Sequence, residues 1–147
     1  MPRFRSINDI LDFAIVRENE AHDFYVDLAQ RVTKRDLREL IKGFAIDEQQ
    51  HAIRLEAIKA GEATFIREDV GGLEIAETVH EAKPEAKMDY ADLLIIAMNR
   101  EKAAFRLYTD LASIAPEDRL RDTLLSLARE EAQHKLTLEI EYDWVAS

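Results

Sequence analysis

The chain of 147 residues contains no cysteine. This absence excludes disulfide bonds, thiolate zinc sites, cysteine-ligated iron centres and thiol nucleophiles. Any metal ion bound by this sequence must therefore be held by oxygen and nitrogen atoms.

Glycine and proline are also scarce, with four and three residues, so the chain is too poor in turn residues for an all-β fold. Apolar residues make up 47% of the sequence and charged residues 34%, which is too hydrophobic a composition for a disordered chain. These proportions predict a single, mostly helical domain, which we assign to residues 1–147.

Long apolar runs are absent as well. The longest, Leu93 to Met98, has six residues, whereas a helix that spans a bilayer needs roughly 20. The 20 basic residues are outnumbered by 30 acidic ones, and the net charge of −10 makes nucleic acid and anionic membranes unlikely partners. Asn8, Asp9 and Asp12 occupy the region where a signal peptide needs its apolar core. We therefore expect a cytoplasmic protein with no membrane segment.

Apolar residues recur at three-, four- and seven-residue steps, which is the spacing of one helix face. Ser6 and Asp89 are suitable residues to begin the first and third helices, and Gly61 is suitable to end the second. The pattern predicts four helices, at about residues 7–31, 34–60, 90–113 and 117–144.

A long connection, at about residues 61–88, separates the second helix from the third. It contains Gly71, Gly72 and Pro84, and a short helical piece from Leu73 to Glu81 is predicted within it. A connection of this length is too long for a tight turn and suits a crossover along a helical bundle.

The two halves of the chain repeat each other at an offset of 83 residues. Residues 14–29 align with residues 97–112 at eight identical positions out of sixteen, and the same offset carries the second helix onto the fourth. Each half is thus one helical hairpin. Two equivalent hairpins joined by a crossover predict an all-α four-helix bundle with a pseudo-two-fold axis.

Six residues with metal-binding side chains lie on the inner faces of these helices. Residues three apart share a helix face, and residues seven apart nearly do. Burying four carboxylates and two imidazoles without compensation would cost several kcal/mol per ion. The six predicted metal ligands are Glu18, Glu48, His51, Glu101, Glu131 and His134.

Two divalent cations would cancel the four negative charges, with both imidazoles binding as neutral bases. One Glu from each of two helices, with a Glu-x-x-His motif from each of the other two, is the arrangement of di-iron and di-manganese carboxylate bundles. We therefore expect two iron ions per chain, with manganese and zinc as alternatives.

Four further residues are predicted to support these ligands. Tyr25 and Tyr108 could each donate a hydrogen bond to a ligand carboxylate on a facing helix, or could be core aromatics without that role. Asp47 and Glu130 precede the motif glutamates and could orient the histidine of the other half, or could be surface charges.

A third Glu-x-x-His motif, Glu77 with His80, lies in the crossover and has no partner at the 83-residue offset. The same spacing that places a ligand pair on one helix face also places a surface pair there. We interpret this motif as a solvated pair without a role at the metal centre.

The pattern Glu18 with Tyr25, Glu48-Gln-Gln-His51, Glu101 with Tyr108 and Glu131-Ala-Gln-His134 resembles the rubrerythrin-like branch of the ferritin-like superfamily. The resemblance implies that Glu48 and Glu131 bridge the two metal ions, with Glu18 and His51 as terminal ligands of one ion and Glu101 and His134 of the other. Members include peroxide reductases and iron-oxidising proteins, often as dimers.

Two features depart from rubrerythrins proper. They carry a cysteine-ligated rubredoxin-type iron domain, which a chain without cysteine cannot form, so an electron donor would be a separate protein. They also resemble one another in an extra Glu three residues after the third-helix ligand, where this chain has Ala104. The sequence is therefore more similar to a plain six-ligand centre.

Three functions are compatible with these residues. The first is an oxidoreductase in which two Fe(II) ions reduce hydrogen peroxide or dioxygen. The second is a ferroxidase or iron-handling protein. The third is a helical assembly module with a structural metal site. Leu93 to Ile96 is apolar all round its helix, which predicts a homodimer through the outer face of the third helix, unless the crossover covers it.

Overall fold

A computed structural model describes residues 6–62 and 89–146 of the chain. Four long helices account for nearly all of them, and the predicted all-α, ferritin-like fold class is confirmed. The helices are α1 (Ile7–Arg31), α2 (Arg35–Ala57), α3 (Tyr90–Ile114) and α4 (Asp118–Ala146). Most of the predicted crossover, including the helical piece predicted from Leu73 to Glu81 and the Glu77–His80 motif, lies outside the described residues.

Side-chain caps begin α1 and α3. The Ser6 hydroxyl accepts a hydrogen bond from the Asp9 amide at 3.2 Å, and the Asp89 carboxylate accepts one from the Asp92 amide at 2.9 Å. Each cap satisfies one of the amides that the first helical turn leaves without an intrahelical partner. These local bonds explain why both helices begin where the sequence predicts.

The end of α2 differs from the prediction. The regular α-helix stops at Ala57 rather than at residue 60, and the chain continues as a wider π-helical turn, Ile58–Glu62. Gly61 in that turn has a φ of 99°, a conformation that residues with a Cβ rarely adopt. The glycine therefore ends the helix, as expected, but through a widened last turn. Helices α3 and α4 run one and two residues further than predicted.

The helices pair as two antiparallel hairpins, because α1 packs along α2 and α3 packs along α4. Three-residue connections join each pair. Helices α1 and α3 also contact each other between the hairpins. Residues near the start of α1 pack with residues near the end of α3, so these two helices run in opposite directions.

Two apolar clusters fill the bundle, one towards each end. The first contains Ile10 of α1 and Leu111 of α3, and the second contains Leu28 of α1 and Leu94 of α3. On every helix, a gap of several residues separates the members of the first cluster from those of the second. The layer between the clusters is where the buried polar residues lie, so the core is divided by a polar layer.

The outer face of α3 is less exposed than the sequence suggests. Within the predicted dimer surface, Leu93, Leu94 and Ile96 are buried in this chain alone, and Ile95 is 39% exposed. The apolar run therefore contributes mainly to the second cluster, which weakens the argument from sequence, and dimerisation through this face stays a prediction. No helix among the described residues is long and apolar enough to cross a membrane.

Candidate metal centre

The structure brings all six predicted ligands together in the polar layer. Helices α1 and α3 each contribute one glutamate, and α2 and α4 each contribute a Glu-x-x-His pair. The side chains are almost completely enclosed, with relative exposures from 0% to 4%. The six residues are Glu18, Glu48, His51, Glu101, Glu131 and His134.

The donor atoms form two overlapping groups of four. In each group the ligand atoms lie within 4.8 Å of one another. Glu48 and Glu131 belong to both groups, whereas each of the other residues belongs to one. The first group adds Glu18 and His51, and the second adds Glu101 and His134. This overlap is the geometry expected of two adjacent cations that share two carboxylates.

Both imidazoles present the same nitrogen to the carboxylates. The Nδ1 atom of His51 lies 3.2 Å from Glu18 Oε2 and 3.3 Å from Glu48 Oε1. The Nδ1 atom of His134 lies 3.0 Å from Glu101 Oε2 and 3.7 Å from Glu48 Oε1. The Nδ1 atoms therefore face the carboxylates of the cluster, and the Nε2 atoms point away from it.

Each outward nitrogen contacts a carboxylate of the opposite hairpin, as predicted. His51 Nε2 lies 3.1 Å from Glu130 Oε1, and His134 Nε2 lies 2.9 Å from Asp47 Oδ2. A proton held on Nε2 by such a carboxylate leaves the lone pair on Nδ1 free to bind a metal. These contacts hold both rings in the orientation that metal binding requires.

Glu130 has a second partner that the sequence did not suggest. Its Oε2 atom accepts a hydrogen bond of 3.1 Å from Arg54 Nη1. Burial raises the pKa of Glu130, but the bond to His51 and the nearby Arg54 guanidinium outweigh that effect and hold it below the ordinary value. Arg54 lies three residues after His51, so its place on the same helix face was visible in the sequence, although its partner on α4 was not.

The two predicted tyrosine contacts are not equivalent. The Tyr108 hydroxyl donates a hydrogen bond to Glu18 Oε2, across the contact between α3 and α1. The Tyr25 hydroxyl is equally buried and lies close enough to Glu101 to lower the pKa of that carboxyl, but it does not have the geometry of a hydrogen bond. Burial, followed by the charge of Glu101, raises the pKa of Tyr25 well above its ordinary value. Both tyrosines therefore approach the glutamate of the facing helix, and only Tyr108 forms a well-aligned hydrogen bond with it.

The protein alone does not compensate the carboxylates. Glu48 Oε1, Glu101 Oε2, His134 Nδ1 and both carboxylate oxygens of Glu131 are buried without a hydrogen-bond partner. Native proteins rarely leave so many buried polar atoms unsatisfied in one place. The orphaned atoms all face the space between the six side chains, where cations would satisfy them.

The pKa values of the glutamates reflect the same crowding. Burial and the charge of Glu48 raise the pKa of Glu18 to about 7. Burial and neighbouring carboxylates also raise the pKa values of Glu101 and Glu131 well above normal. Glu48 is the exception: burial opposes its ionisation, but its close contacts with His51 and Glu131 lower its pKa. The cluster therefore favours the ionised form of Glu48 and disfavours ionisation of the other three glutamates until positive charge is added.

His51 supplies part of that positive charge when no metal is bound. Burial alone would lower its pKa, but hydrogen bonds to Glu18 and Glu48 raise the pKa to about 11. The protonated His51 imidazole therefore places a positive charge beside Glu18 and Glu48, where a bound metal ion would otherwise place one. Binding of a metal at Nδ1 must displace this proton.

The donor set fits two divalent cations. Four carboxylates carry −4 when ionised, two divalent ions carry +4, and both histidines bind as neutral ligands. Mixed carboxylate and imidazole ligands suit iron and manganese, and the absence of cysteine removes the soft ligands that favour other metals. The cluster thus has the residues, the geometry and the unsatisfied charge of a two-metal site.

A small cavity adjoins the cluster on the side of α1 and α3. Its volume is about 30 Å³, and four of the glutamates contribute to its wall. Ala21, Ala104 and Leu107 form part of its apolar lining, and Arg17 and Arg100 line it as well. The arginines occupy equivalent positions at the 83-residue offset. Their position beside the cavity was not predicted from the sequence, although both arginines are among the identical positions of the repeat.

Each arginine is held in place by an aromatic ring. The Arg17 guanidinium lies 4.9 Å from the centre of the Phe13 ring and also pairs with Glu20 at 2.9 Å. The Arg100 guanidinium lies 5.3 Å from the centre of the Phe24 ring. Stacked guanidinium groups are fixed more firmly than free surface arginines, so both positive charges stay beside the cavity.

A four-helix bundle with a buried layer of four glutamates and two histidines defines the class of ferritin-like carboxylate proteins that bind two metal ions. Within that class, the family model for rubrerythrin matches residues 9–142, and the chain belongs to the rubrerythrin family. This finding confirms the resemblance inferred from the sequence.

Two solved structures resemble the fold over nearly its whole length. The first is described as a ferritin-like diiron-carboxylate protein from Thermotoga maritima; it is 20% identical, with a TM-score of 0.81 over 97% of this chain and 98% of that one. The second, a hypothetical protein from Pyrococcus furiosus, is 26% identical, with a TM-score of 0.76 over 94% and 89%. A comparison with curated proteins found no match.

Proposed function

We propose that this chain is a non-haem di-iron protein that uses two Fe(II) ions to reduce hydrogen peroxide or dioxygen. The observation that carries the proposal is the pair of overlapping four-donor groups, whose buried oxygen and nitrogen atoms lack partners within the protein. Membership of the rubrerythrin family supports iron over other metals that oxygen and nitrogen ligands could bind.

The six ligands have distinct tasks in this proposal. Glu48 and Glu131 belong to both four-donor groups and would help to hold both ions. Glu18 with His51 would complete the ligands of one ion, and Glu101 with His134 those of the other. When bound as Fe(II), the two ions supply two electrons, the number needed to convert one hydrogen peroxide and two protons into two waters.

The residues around the ligands restrict how they move. Glu130 and Asp47 fix the two imidazole rings through Nε2, and the Tyr108 hydroxyl fixes the Glu18 carboxylate. The apolar clusters on either side exclude bulk water from the layer. Carboxylates held in a dry environment interact more strongly with cations than carboxylates in water do.

The cavity limits the size of the oxidant. A volume of about 30 Å³ holds one or two water-sized molecules. Hydrogen peroxide and dioxygen are of this size, whereas organic hydroperoxides with a bulky substituent are not. Arg17 and Arg100 place positive charge beside the cavity, where it would stabilise negative charge that develops on the oxidant.

Reduction of the oxidised centre requires electrons from outside the chain. The sequence contains no cysteine for a rubredoxin-type iron site. We therefore propose a separate electron-donor protein as the reductant.

Anaerobic loading with Fe(II), followed by stopped-flow mixing with hydrogen peroxide or with dioxygen, tests the proposed reaction. We expect oxidation of two irons per chain, faster than oxidation of free Fe(II), with one of the two oxidants clearly preferred. Equal rates for bound and free Fe(II) would contradict an oxidoreductase. Continued oxidation of Fe(II) supplied in excess, with retention of the product, would identify an iron-handling protein instead.

We also propose that the chain forms a homodimer, but through α4 rather than α3. Leu136, Ile140 and Trp144 follow one another at four-residue steps and are 58%, 54% and 74% exposed. An apolar stripe of this kind on a helix usually contacts another protein surface. Static light scattering should give about twice the mass of 16.9 kDa, and Ile140→Glu should return it to the monomer value.

A further inference from the structure

The two proposed metal positions have different surroundings, although their ligands match. On one side, His51 contacts Glu130, and Glu130 pairs with Arg54. On the other side, His134 contacts Asp47. Among the residues that the structure describes, no lysine or arginine forms an ion pair with Asp47. The negative charge behind His51 is therefore neutralised, and the charge behind His134 is not.

This difference follows from a difference in sequence between the two halves of the repeat. The 83-residue offset carries His51 onto His134, but it carries Arg54 onto Thr137. The Thr137 hydroxyl donates a hydrogen bond of 3.2 Å to the backbone carbonyl of Gln133 and brings no positive charge to Asp47. The two hairpins thus share the same candidate ligands but differ at the residue three positions after each histidine.

The tyrosines add a second difference with the same sign. Tyr108 donates a hydrogen bond to Glu18, which belongs to the same metal position as His51. Tyr25 approaches Glu101, which belongs to the position of His134, but without the geometry of a hydrogen bond. A hydroxyl that donates a well-aligned hydrogen bond to a carboxylate draws negative charge away from it. The tyrosines therefore add a small difference to the larger one made by Arg54, and both leave the position of Glu101 and His134 the more negative.

We propose that the two metal positions differ in affinity, with the position formed by Glu101 and His134 binding its divalent cation first and more tightly. Arg54 is the main residue that sets this difference. It acts through Glu130 on His51 and is a positioning residue, because it touches neither the ligand atoms nor the proposed ions. The inference rests on the proposed function in one respect: the cluster must bind two ions.

The physical reason is electrostatic. An ionised carboxylate behind an imidazole raises the basicity of the metal-facing nitrogen, and a guanidinium bound to that carboxylate reduces the effect. Changes in residues that contact metal ligands alter metal affinity by about 10- to 100-fold. Because Arg54 lies one contact further out, we expect its effect to be about three- to tenfold.

Titration of the metal-free full-length chain with Co(II), followed by calorimetry and by absorbance, tests the proposal. We expect two resolved binding steps per chain. Arg54→Thr should tighten the weaker step about three- to tenfold and leave the stronger step unchanged. Thr137→Arg places a positive charge beside Asp47 and should weaken the stronger step by a similar factor.

Arg121→Thr is the matched control, because Arg121 is a partly exposed arginine of α4 that pairs with Asp118 away from the centre. It should leave both steps unchanged. Thermal unfolding in the presence of a chelator checks that each variant folds. Arg54→Thr and Thr137→Arg test the proposal independently, so either one decides it if the other does not fold.

The outcomes separate this proposal from the proposed function. Two indistinguishable steps that neither variant alters would overturn the inequality of the positions, while metal binding itself stands. Tightening of the stronger step by Arg54→Thr would also overturn it, because the order would then be reversed. No Co(II) binding by the unmodified chain would instead overturn the two-metal site.

Discussion

The Tyr108 hydroxyl donates a hydrogen bond to the Glu18 carboxylate, and the bond joins the two halves of the chain at the edge of the metal centre. Both residues are buried, so neither can exchange this bond for one with water. The equivalent tyrosine in the first half, Tyr25, approaches Glu101 without the geometry of a hydrogen bond. The pair of tyrosines therefore provides a variant and its matched control.

Replacement of Tyr108 by Phe should destabilise the metal-free protein by about 1–3 kcal/mol, because a hydrogen bond to a charged group is lost and a buried acceptor loses a partner. Replacement of Tyr25 by Phe should cost clearly less, since its contact with Glu101 lacks the geometry of a hydrogen bond. Chemical denaturation in the presence of a chelator measures both. Equal losses for the two variants would show that the Tyr108 bond does not stabilise the fold.

Replacement of Glu131 by Gln should have opposite effects with and without metal. In the metal-free protein, folding buries both unpartnered Glu131 oxygens and, with the pKa raised, requires uptake of a proton. The neutral amide removes that cost, so we expect a gain on the order of 1–3 kcal/mol at neutral pH. With metal, the variant loses a shared carboxylate and should lose most of the metal-induced stabilisation.

Unfolding curves with chelator and with Mn(II) test this reversal of sign. Glu139→Gln serves as the control, because Glu139 lies on the same helix with its side chain 46% exposed and pairs with Lys135. Surface changes of this kind usually alter stability by less than about 0.5 kcal/mol. A Glu131→Gln variant less stable than the unmodified chain in chelator would refute the argument from uncompensated burial.

The metal-free protein should lose stability as the pH rises from about 5 to 8. A group whose pKa is raised on folding stabilises the folded state below its unfolded value and loses that contribution as the pH passes the folded value. For Glu18 this window runs from the ordinary value of 4.5 to about 7. For His51 it runs from 6.5 to about 11, and the sign is the same. The lowered pKa of Glu48 acts only below 4.5, outside this range.

Metal binding should reverse this dependence. Cations bind the ionised carboxylates and the neutral imidazoles, so protons compete with them and metal affinity rises with pH. The difference in melting temperature between Mn(II)-loaded and chelator-treated protein should therefore increase steadily from pH 5 to 8. A difference that is constant across this range would show that binding displaces no protons from the cluster.

The sequence predicted the buried cluster of six side chains well because spacing on a helix determines which residues share a face. The seven-residue steps around Glu18 and Glu101, and the three-residue steps to His51 and His134, needed no knowledge of the tertiary fold. The contacts of Asp47 and Glu130 followed from the repeat, which implies that each hairpin faces the other.

What the sequence did not predict depends on contacts between helices that have no counterpart in the repeat. The bond from Arg54 to Glu130 joins α2 to α4 on one side only. The poorer geometry of the contact between Tyr25 and Glu101 depends on how each tyrosine packs, which the repeat does not determine. The burial of Leu93 and Ile96 within one chain likewise depends on where α3 sits in the bundle. Local patterns carry no information on such distances.

Replacement of Ala104 by Met should separate access of the oxidant from metal binding. Ala104 lines the cavity and is not among the candidate ligands, so a larger side chain there fills space of about 30 Å³ without removing a metal donor. We expect the second-order rate with hydrogen peroxide to fall about tenfold or more, because the oxidant must then displace a side chain. The Co(II) affinities should change little.

Ala91→Met, a half-buried position at the start of α3 outside the cavity lining, is the matched control for the added volume. If both variants react like the unmodified protein, then the oxidant reaches the centre by another path, and the cavity on the side of α1 and α3 has no part in the reaction.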